Sequence, residues 1–293
     1  MRLCFLLVRR VPPVPSPVLE DVFEILTRRG FQVEGGIAEE MIQRADSLRV
    51  EHDLYLLKSH TELSLSLAGV LDAQGARFLN PYRNCHATQN KIVASRRLRA
   101  FSVPVPRTWV TGDLALLRPI AEEMPLLVKP YLGHRGVGIQ VVRRADDLER
   151  IPPPSGPVIV QEYIQGGDED IKLYVVGEEV FAVRKRFSSD SFTRPGRPSP
   201  VSPELREIAQ RCGRALGLGL YGLDVVEGPD GPFVVDLNFF PGYKGVPGAG
   251  AAIASYVERY ARGEIVLELP TLPPPTSTQA STAREARLIE ASA

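Results

Sequence analysis

The chain has 293 residues, 44% of them hydrophobic and 24% charged, with 35 basic and 35 acidic side chains and so no net formal charge. That composition is ordinary for a folded globular protein, the length points to about two domains, and balanced charge gives no bulk attraction for nucleic acid or an anionic membrane. Cys4, Cys85 and Cys212 lie far apart without Cys-x-x-Cys spacing, which speaks against a disulfide framework or a zinc site and fits a reducing cytoplasm.

The opening run Met1-Arg-Leu-Cys-Phe-Leu-Leu-Val8 is too brief for a signal segment, and Arg9-Arg10 follow it without a small-residue cleavage site, so it reads as a first buried strand. No apolar run approaches the roughly 18 to 20 residues of a membrane span. Amphipathic Val18–Arg29, apolar Leu54–Leu57 and amphipathic Glu62–Leu71 continue a strand, helix, strand, helix rhythm, the pattern of a small parallel α/β layer. Pro17 sits near the start of the first helix, where its missing N–H is tolerated.

A basic helical stretch over Ala87–Ala100 carries Lys91, and Val103-Pro-Val-Pro-Arg-Thr-Trp-Val110 reads as an extended connector. A helix from Asp113, a strand at Leu126–Lys129, a glycine-bearing turn and a strand at Ile139–Val142 follow. Beyond a proline-rich loop, Val158–Tyr163 is a strand, and Ile171–Val176 with Glu179–Arg186 forms a hairpin about Gly177. Pro203–Leu216 has a helical apolar stripe stopped by Gly217, and a last helix covers Ala249–Arg262. The proline-, threonine- and serine-rich stretch after Pro270 reads as a disordered tail. The expected divisions are 1–86, 87–160, 161–268 and a tail, 269–293.

Several segments carry chemistry. Lys129 ends a strand, and Gly133, Gly136 and Gly138 follow it in a loop with His134; glycines let backbone amides approach an anion, and an ammonium suits phosphate. The Gly-Lys-Ser/Thr ending of a Walker A loop is missing. Gln161-Glu162-Tyr163 closes a strand and Asp170-Ile-Lys172 opens the next. Taken alone, Glu162 and Asp170 read as solvated loop acids, and Arg184-Lys-Arg186 as either a phosphate clamp or a charged strand edge. His52, His60 and His86 lack metal-ligand spacing, and Trp109 reads as a packing residue. Finally, Tyr221–Val226 and Phe233–Asn238 flank the turn-rich Glu227–Pro232, predicting a hairpin that carries Asp224, Asp236 and Asn238. Residues two apart on a strand share a face, so Asp236 and Asn238 converge. Two carboxylates and an amide oxygen are ligands that Mg²⁺ accepts.

The order of these signals, over Phe78 to Arg262, resembles the ATP-grasp superfamily. Asn80, Lys91, the Pro104–Thr108 connector, Asp170–Gly177 and the terminal Asn-x-x-Pro-Gly look like the ribosomal-protein glutamate ligases, the RimK-like branch. Lys172–Glu178 and Asp236-x-Asn-x-Phe-Pro-Gly-Tyr-x-Gly245 look more like the inositol trisphosphate 5/6-kinases. The resemblance implies an α/β (α+β) ATP-grasp fold, in which a small parallel α/β domain precedes two α+β subdomains that clasp ATP. It implies that Lys91 and Lys129 hold phosphates, the Gly133–Gly138 loop covers them, Gln161, Glu162 and Tyr163 take adenine and Asp170 takes ribose. Asp224, Asp236 and Asn238 would bind two Mg²⁺ ions, with Mn²⁺ as an alternative. Lys172, Arg184 and Arg186 would steady a carboxylate and its acyl phosphate. The implied activity is an ATP-dependent carboxylate-amine ligase acting on small-molecule or peptide acids and amines. The alternatives are an inositol polyphosphate kinase-like phosphotransferase and an ATP-binding module without turnover. The ligases usually carry glutamate where this chain has Asp236, and the inositol kinases have a longer, histidine-bearing loop after the central lysine.

Overall fold

The computed structural model describes residues 1–9, 16–132, 138–154, 156–186 and 196–274. In chain order the elements are β1 (Arg2–Leu7), α1 (Pro17–Arg28), β2 (Gln32–Ile37), β3 (Leu54–Leu57), α2 (Glu62–Ala73), β4 (Phe78–Leu79), α3 (Tyr82–Gln89) and α4 (Lys91–Ala100). Then come β5 (Thr108–Thr111), α5 (Arg118–Glu123), β6 (Leu126–Pro130), β7 (Gln140–Val142), β8 (Val158–Glu162), β9 (Glu169–Val176) and β10 (Glu179–Arg186). The last are β11 (Arg197–Ser199), α6 (Pro203–Leu216), β12 (Leu220–Gly228), β13 (Gly231–Phe239) and α7 (Ala249–Ala261).

Three sheets result. The first is parallel, in the order β2-β1-β3-β4, and every residue of β3 is buried, as expected of a strand covered on both faces. The second is antiparallel, β5-β8-β6-β7. The third, β11-β10-β9-β12-β13, is antiparallel and holds the candidate metal hairpin. β2 has no counterpart in the sequence reading: Gln32-Val-Glu-Gly-Gly-Ile37 lacks an apolar run because it is an edge strand with a mostly open face.

Two hydrophobic cores divide the chain unequally. The parallel sheet and the third sheet share one, with α1 against α7 and an Arg29–Glu258 ion pair of 2.8 Å across the same contact. The middle sheet has a separate core of Leu114, Leu117, Leu126, Val128, Val142, Leu148, Val158 and Val160. Asn80 ties the first body to β12: its buried side chain accepts from the N–H of Gly219 (2.8 Å) and Leu220 (3.0 Å) and donates to the Leu220 carbonyl (2.8 Å).

Ala87–Ala100 is not one helix. Asn90 is extended and its side-chain oxygen caps the N–H groups of Ile92 (3.1 Å) and Val93 (3.2 Å), so α3 stops at Gln89 and α4 begins at Lys91. Asparagine favours this position because its short carbonyl satisfies donors that the first helical turn leaves unpaired. The break puts Lys91 at the head of α4.

The far end of α4 is held by the C-terminal segment. The buried Arg97 guanidinium donates to the Ala215 carbonyl (2.9 Å) in the last turn of α6 and to the Pro270 carbonyl. The expected tail lies outside the described residues from 275 onward, whereas Ile265 and Leu267 pack on the core. Gly217 ends α6 in the left-handed region (φ +60°), and a Cβ there would lie 2.1 Å from the Glu268 carbonyl oxygen and 2.4 Å from the Asn84 side-chain nitrogen. Gly217→Ala is therefore expected to destabilise the fold by roughly 2–4 kcal/mol, from left-handed strain plus overpacking. Urea unfolding measures it, and a loss under about 1 kcal/mol would show that the segment yields.

Candidate active site

The active face of the third sheet follows from its register. Asp224 stands opposite Asp236, Gly222 opposite Asn238, and on the other side Asp224 stands opposite Lys172. Directly opposed residues share a face, so Asn238, Asp236, Asp224, Lys172 and, two residues along β9, Asp170 all look into one cleft. A register shift between Asp224 and Val225 bends β12 just beyond the carboxylate, a device that re-aims side chains beside active sites.

Two carboxylates facing each other repel, and two ammonium groups offset this. Lys91, from the head of α4, pairs with Asp236, and Lys172 pairs with Asp224 at 2.7 Å. A row of charges thus runs across the sheet in the order positive, negative, negative, positive. Its place deep in the cleft works to raise the Asp236 carboxyl, but Lys91, Lys129 and Lys172 outweigh that and hold it below the usual carboxylate range. Burial likewise works against the Lys172 ammonium, yet Asp224 carries it above its ordinary value. Asp170 moves the other way: burial, then the nearby Asp224 charge, raise its carboxyl.

Lys129 enters from the middle sheet. It is buried, donating to Gln161 Oε1 (2.7 Å) and to the Val235 carbonyl (3.2 Å), so it bridges the two bodies beside Asp236. A cavity of about 40 Å³, lined by Lys91, Lys129, Gln161, Val235 and Asp236 among others, marks this junction.

Burial pushes the Lys129 ammonium down to about 8, with Lys91 adding to the effect and Asp236 and Asp224 opposing it. An unfolded lysine keeps its proton to roughly 10.4, so between those values the folded chain binds fewer protons and its stability rises with pH. Affinity for a triphosphate anion should follow the opposite sign, full below about 8 and falling severalfold by pH 9.5 as the ammonium is lost. Titration calorimetry across this range tests it, with Lys129→Met expected to bind weakly and without that slope. An equal slope in the variant would assign the titration elsewhere.

Other expected groups are placed differently. Gln161 turns its side chain inward to Lys129. Glu162 pairs with Arg107 at 2.9 Å, its own N–H donates to the Arg107 carbonyl and that of Tyr163 to the Pro125 carbonyl, so these side chains and amides are engaged within the middle body. Arg143 stacks over the Tyr163 ring. Gly133, His134 and Gly136 lie outside the described residues, while Gly138 has φ +76° in the turn before β7.

Arg184 and Arg186 correct the sequence reading. Arg184 is opposite Ile171 and Arg186 opposite Glu169, which puts both on the reverse face of the sheet from Lys172. Arg184 makes a two-pronged pair with Glu227 (2.8 and 3.3 Å). The basic residue of β10 that shares the face of Asp170 and Lys172 is Lys185. Sequence reasoning took Lys185 only together with Arg184 and Arg186, as one basic strand, although the hairpin about Gly177 already carried the signal that separates them, because its short turn fixes the register.

Among the described residues no group of three or more His, Cys, Asp or Glu side chains could hold a metal ion. The donor set here is instead two carboxylates and one amide oxygen, with Asp236 kept ionised. That chemistry fits a hard dication, with the lysines free to turn from the carboxylates toward an anion once the dication arrives. No helix among the described residues is long and apolar enough to cross a membrane.

Comparison with known proteins gives the family and the fold. Residues 88–259 match the RimK-like ATP-grasp domain. The chain is 32% identical over 210 residues, 65% of its length and 70% of the relative's, to a probable alpha-L-glutamate ligase 2 of Shewanella sp. (strain MR-4). It superposes on the crystal structure of a RimK domain ATP-grasp protein from Sphaerobacter thermophilus DSM 20745 with a TM-score of 0.73 and 21% identity, covering 87% of this chain and 99% of that one. The ATP-grasp ligase PsnB, solved with a minimal precursor, Mg and ADP, shares the fold at a TM-score of 0.62 and 19% identity, covering 88% and 96%.

Proposed function

Since the chain belongs to the RimK-like ATP-grasp family and is an ATP-dependent carboxylate-amine ligase, we propose that it uses Mg²⁺ and that its chemistry runs along the charged row Lys91–Asp236–Asp224–Lys172. That row is the observation carrying the reading: it sets phosphate-binding ammonium groups on either side of a dication's oxygen donors. Lys91 and Lys129 take the triphosphate, exchanging Asp236 and Gln161 for phosphate oxygens. The strand end Gln161–Tyr163 and the loop after it receive the base, and Asp170 receives the ribose. Asp224, Asp236 and Asn238 would hold two Mg²⁺ ions, which Mn²⁺ can replace, and which supply positive charge against the triphosphate when bound.

One oxygen of the substrate carboxylate attacks the γ-phosphorus and the bond to the bridging oxygen breaks, releasing ADP and leaving an acyl phosphate. The amine nitrogen then attacks the acyl carbon, inorganic phosphate departs with its linking oxygen, and the nitrogen gives up a proton. Phosphoryl transfer needs alignment and positive charge more than covalent help. Lys172 and Lys185 supply that charge on the acceptor side, the role expected of Arg184 and Arg186. Lysines so placed keep a carboxylate, a spreading metaphosphate and an acyl phosphate in one electrostatic environment. Free thiols at Cys4, Cys85 and Cys212 suit a reducing cytoplasm.

The relatives favour the ligase over the inositol kinase branch, and an intact row of four charges argues against a module without turnover. A screen with γ-labelled ATP against amino acids, peptides and inositol phosphates is the test. Labelled free phosphate that depends on both an acid and an amine is expected; stable label on an inositol would overturn the ligase reading.

A further inference from the structure

The charged row is backed by a residue of the parallel body that the proposed reaction does not use. His60 lies in the loop between β3 and α2, where the carboxyl ends of β1 and β3 form the crevice in which open sheets of this order bind ligands. Here that crevice meets the end of β13. The His60 ring stacks on Phe239, with centroids 4.0 Å apart and planes at 29°, and the Lys58 ammonium lies 5.4 Å over the Phe240 ring.

Both sides of the contact are firmly held. The N–H groups of Lys58 and Ser59 both donate to the Leu6 carbonyl, at 3.0 and 2.8 Å, Ser59 is buried, and Thr61 caps α2. Across from them, Phe239 and Phe240 are fully buried, and Phe240 is left-handed (φ +39°) while its N–H donates to the Leu220 carbonyl at 2.8 Å. A non-glycine residue keeps that conformation where its surroundings overdetermine it, and such residues gather at functional sites.

What the stack controls follows from side-chain alternation. Phe239 points to the reverse of the sheet, so its neighbour Asn238 points into the cleft with Asp236 and Asp224. Because β13 is the last strand of its sheet and pairs with β12 alone, the position of its end depends on packing from outside the ladder. His60 supplies that packing. It has a second hold as well, since its carbonyl accepts from Gln89 Nε2 at 3.3 Å, on the last residue of α3, just ahead of the Asn90 cap and Lys91. One residue of the parallel body thus touches both flanks of the row.

We propose that His60 is a positioning residue for the dication: its ring seats the end of β13 so that the Asn238 oxygen stands with Asp236 and Asp224, in step with Lys91. The ring face does this, so another flat aromatic side chain serves equally. The inference rests on reading Asp224, Asp236 and Asn238 as the Mg²⁺ donors, and adds that the parallel body sets their spacing.

Calorimetric binding of ADP to the full chain over a range of Mg²⁺ concentrations tests this without turnover. His60→Leu keeps most of the volume and loses the ring face. Supports of metal ligands are worth roughly 10- to 100-fold in affinity, so the Mg²⁺ concentration for half-maximal ADP binding should rise about tenfold, with ADP affinity at saturating Mg²⁺ within about threefold. Phe239→Leu removes the stack from the other side and should do the same, so the test stands if one variant fails to fold. His60→Phe should match the unaltered chain, and thermal melts report folding throughout. An unmoved midpoint in a folded leucine variant, a loss of ADP affinity equal at every Mg²⁺ concentration, or a His60→Phe chain as impaired as His60→Leu would each overturn the role. Asp236→Asn separates the two readings. If it raises the midpoint and His60→Leu does not, the donor set stands and the role of His60 falls; if it leaves the midpoint in place, the donor set falls and takes that role with it.

Discussion

Asp236→Asn is expected to lower ATP turnover by at least ~10³-fold while the chain stays folded. The substitution keeps the shape of the side chain and removes the charge on which three lysines converge. Without it the proposed dication loses one of two carboxylates, and Lys91 loses its partner. A single preorganised electrostatic group in a water-poor site is worth about 3–4 kcal/mol of barrier, or 10²–10³ in rate. Loss of metal occupancy compounds that figure. Stability should move far less, because Asp236 keeps part of its surface at the cleft and partly exposed ion pairs contribute about 1 kcal/mol or below. The check is phosphate release with a verified acid and amine, beside urea unfolding of the same preparation. Turnover within tenfold of the unaltered chain would sink the metal assignment; a collapsed unfolding transition would instead make Asp236 structural.

The hairpin that carries Asp236 was legible because all its information is local. Turn formers at Glu227–Pro232 and a period of two placed Asp236 with Asn238, and β12 and β13 form as expected. The start of α4 was equally local but went unread: Asn90 is a capping residue before a helical run, and its cap is what delivers Lys91 to the site. The partnership of Lys129 with the Val235 carbonyl joins positions 106 apart in sequence, and no local rule sees it. Asn80 was singled out as a family mark, and the structure gives it a physical task, satisfying the backbone at the start of β12.

β10 shows how a one-residue choice decides a site. Its sequence, Arg184-Lys185-Arg186, offers two arginines better suited than lysine to planar, bidentate contact with a carboxylate. Chemistry alone favours them, yet side-chain alternation overrules it, since the hairpin register sends Arg184 to the side of Ile171 and Lys185 to the side of Asp170. Lys185→Met is accordingly expected to lower kcat/KM for the acid substrate by 10² to 10³ (about 3–4 kcal/mol of barrier). KM for ATP should change by less than about threefold, because Lys185 lies two strands from the nucleotide side. Arg184→Met should leave kcat/KM within about threefold and cost at most ~1 kcal/mol of stability, the usual worth of a partly exposed pair such as the one with Glu227. Steady-state kinetics of both variants on one acid-amine pair decides the matter. The reverse result, with Arg184→Met impaired and Lys185→Met spared, would mean that β10 pairs with β9 one residue out of the register seen here, while Lys172 keeps the face of Asp224 through the separate pairing of β9 with β12.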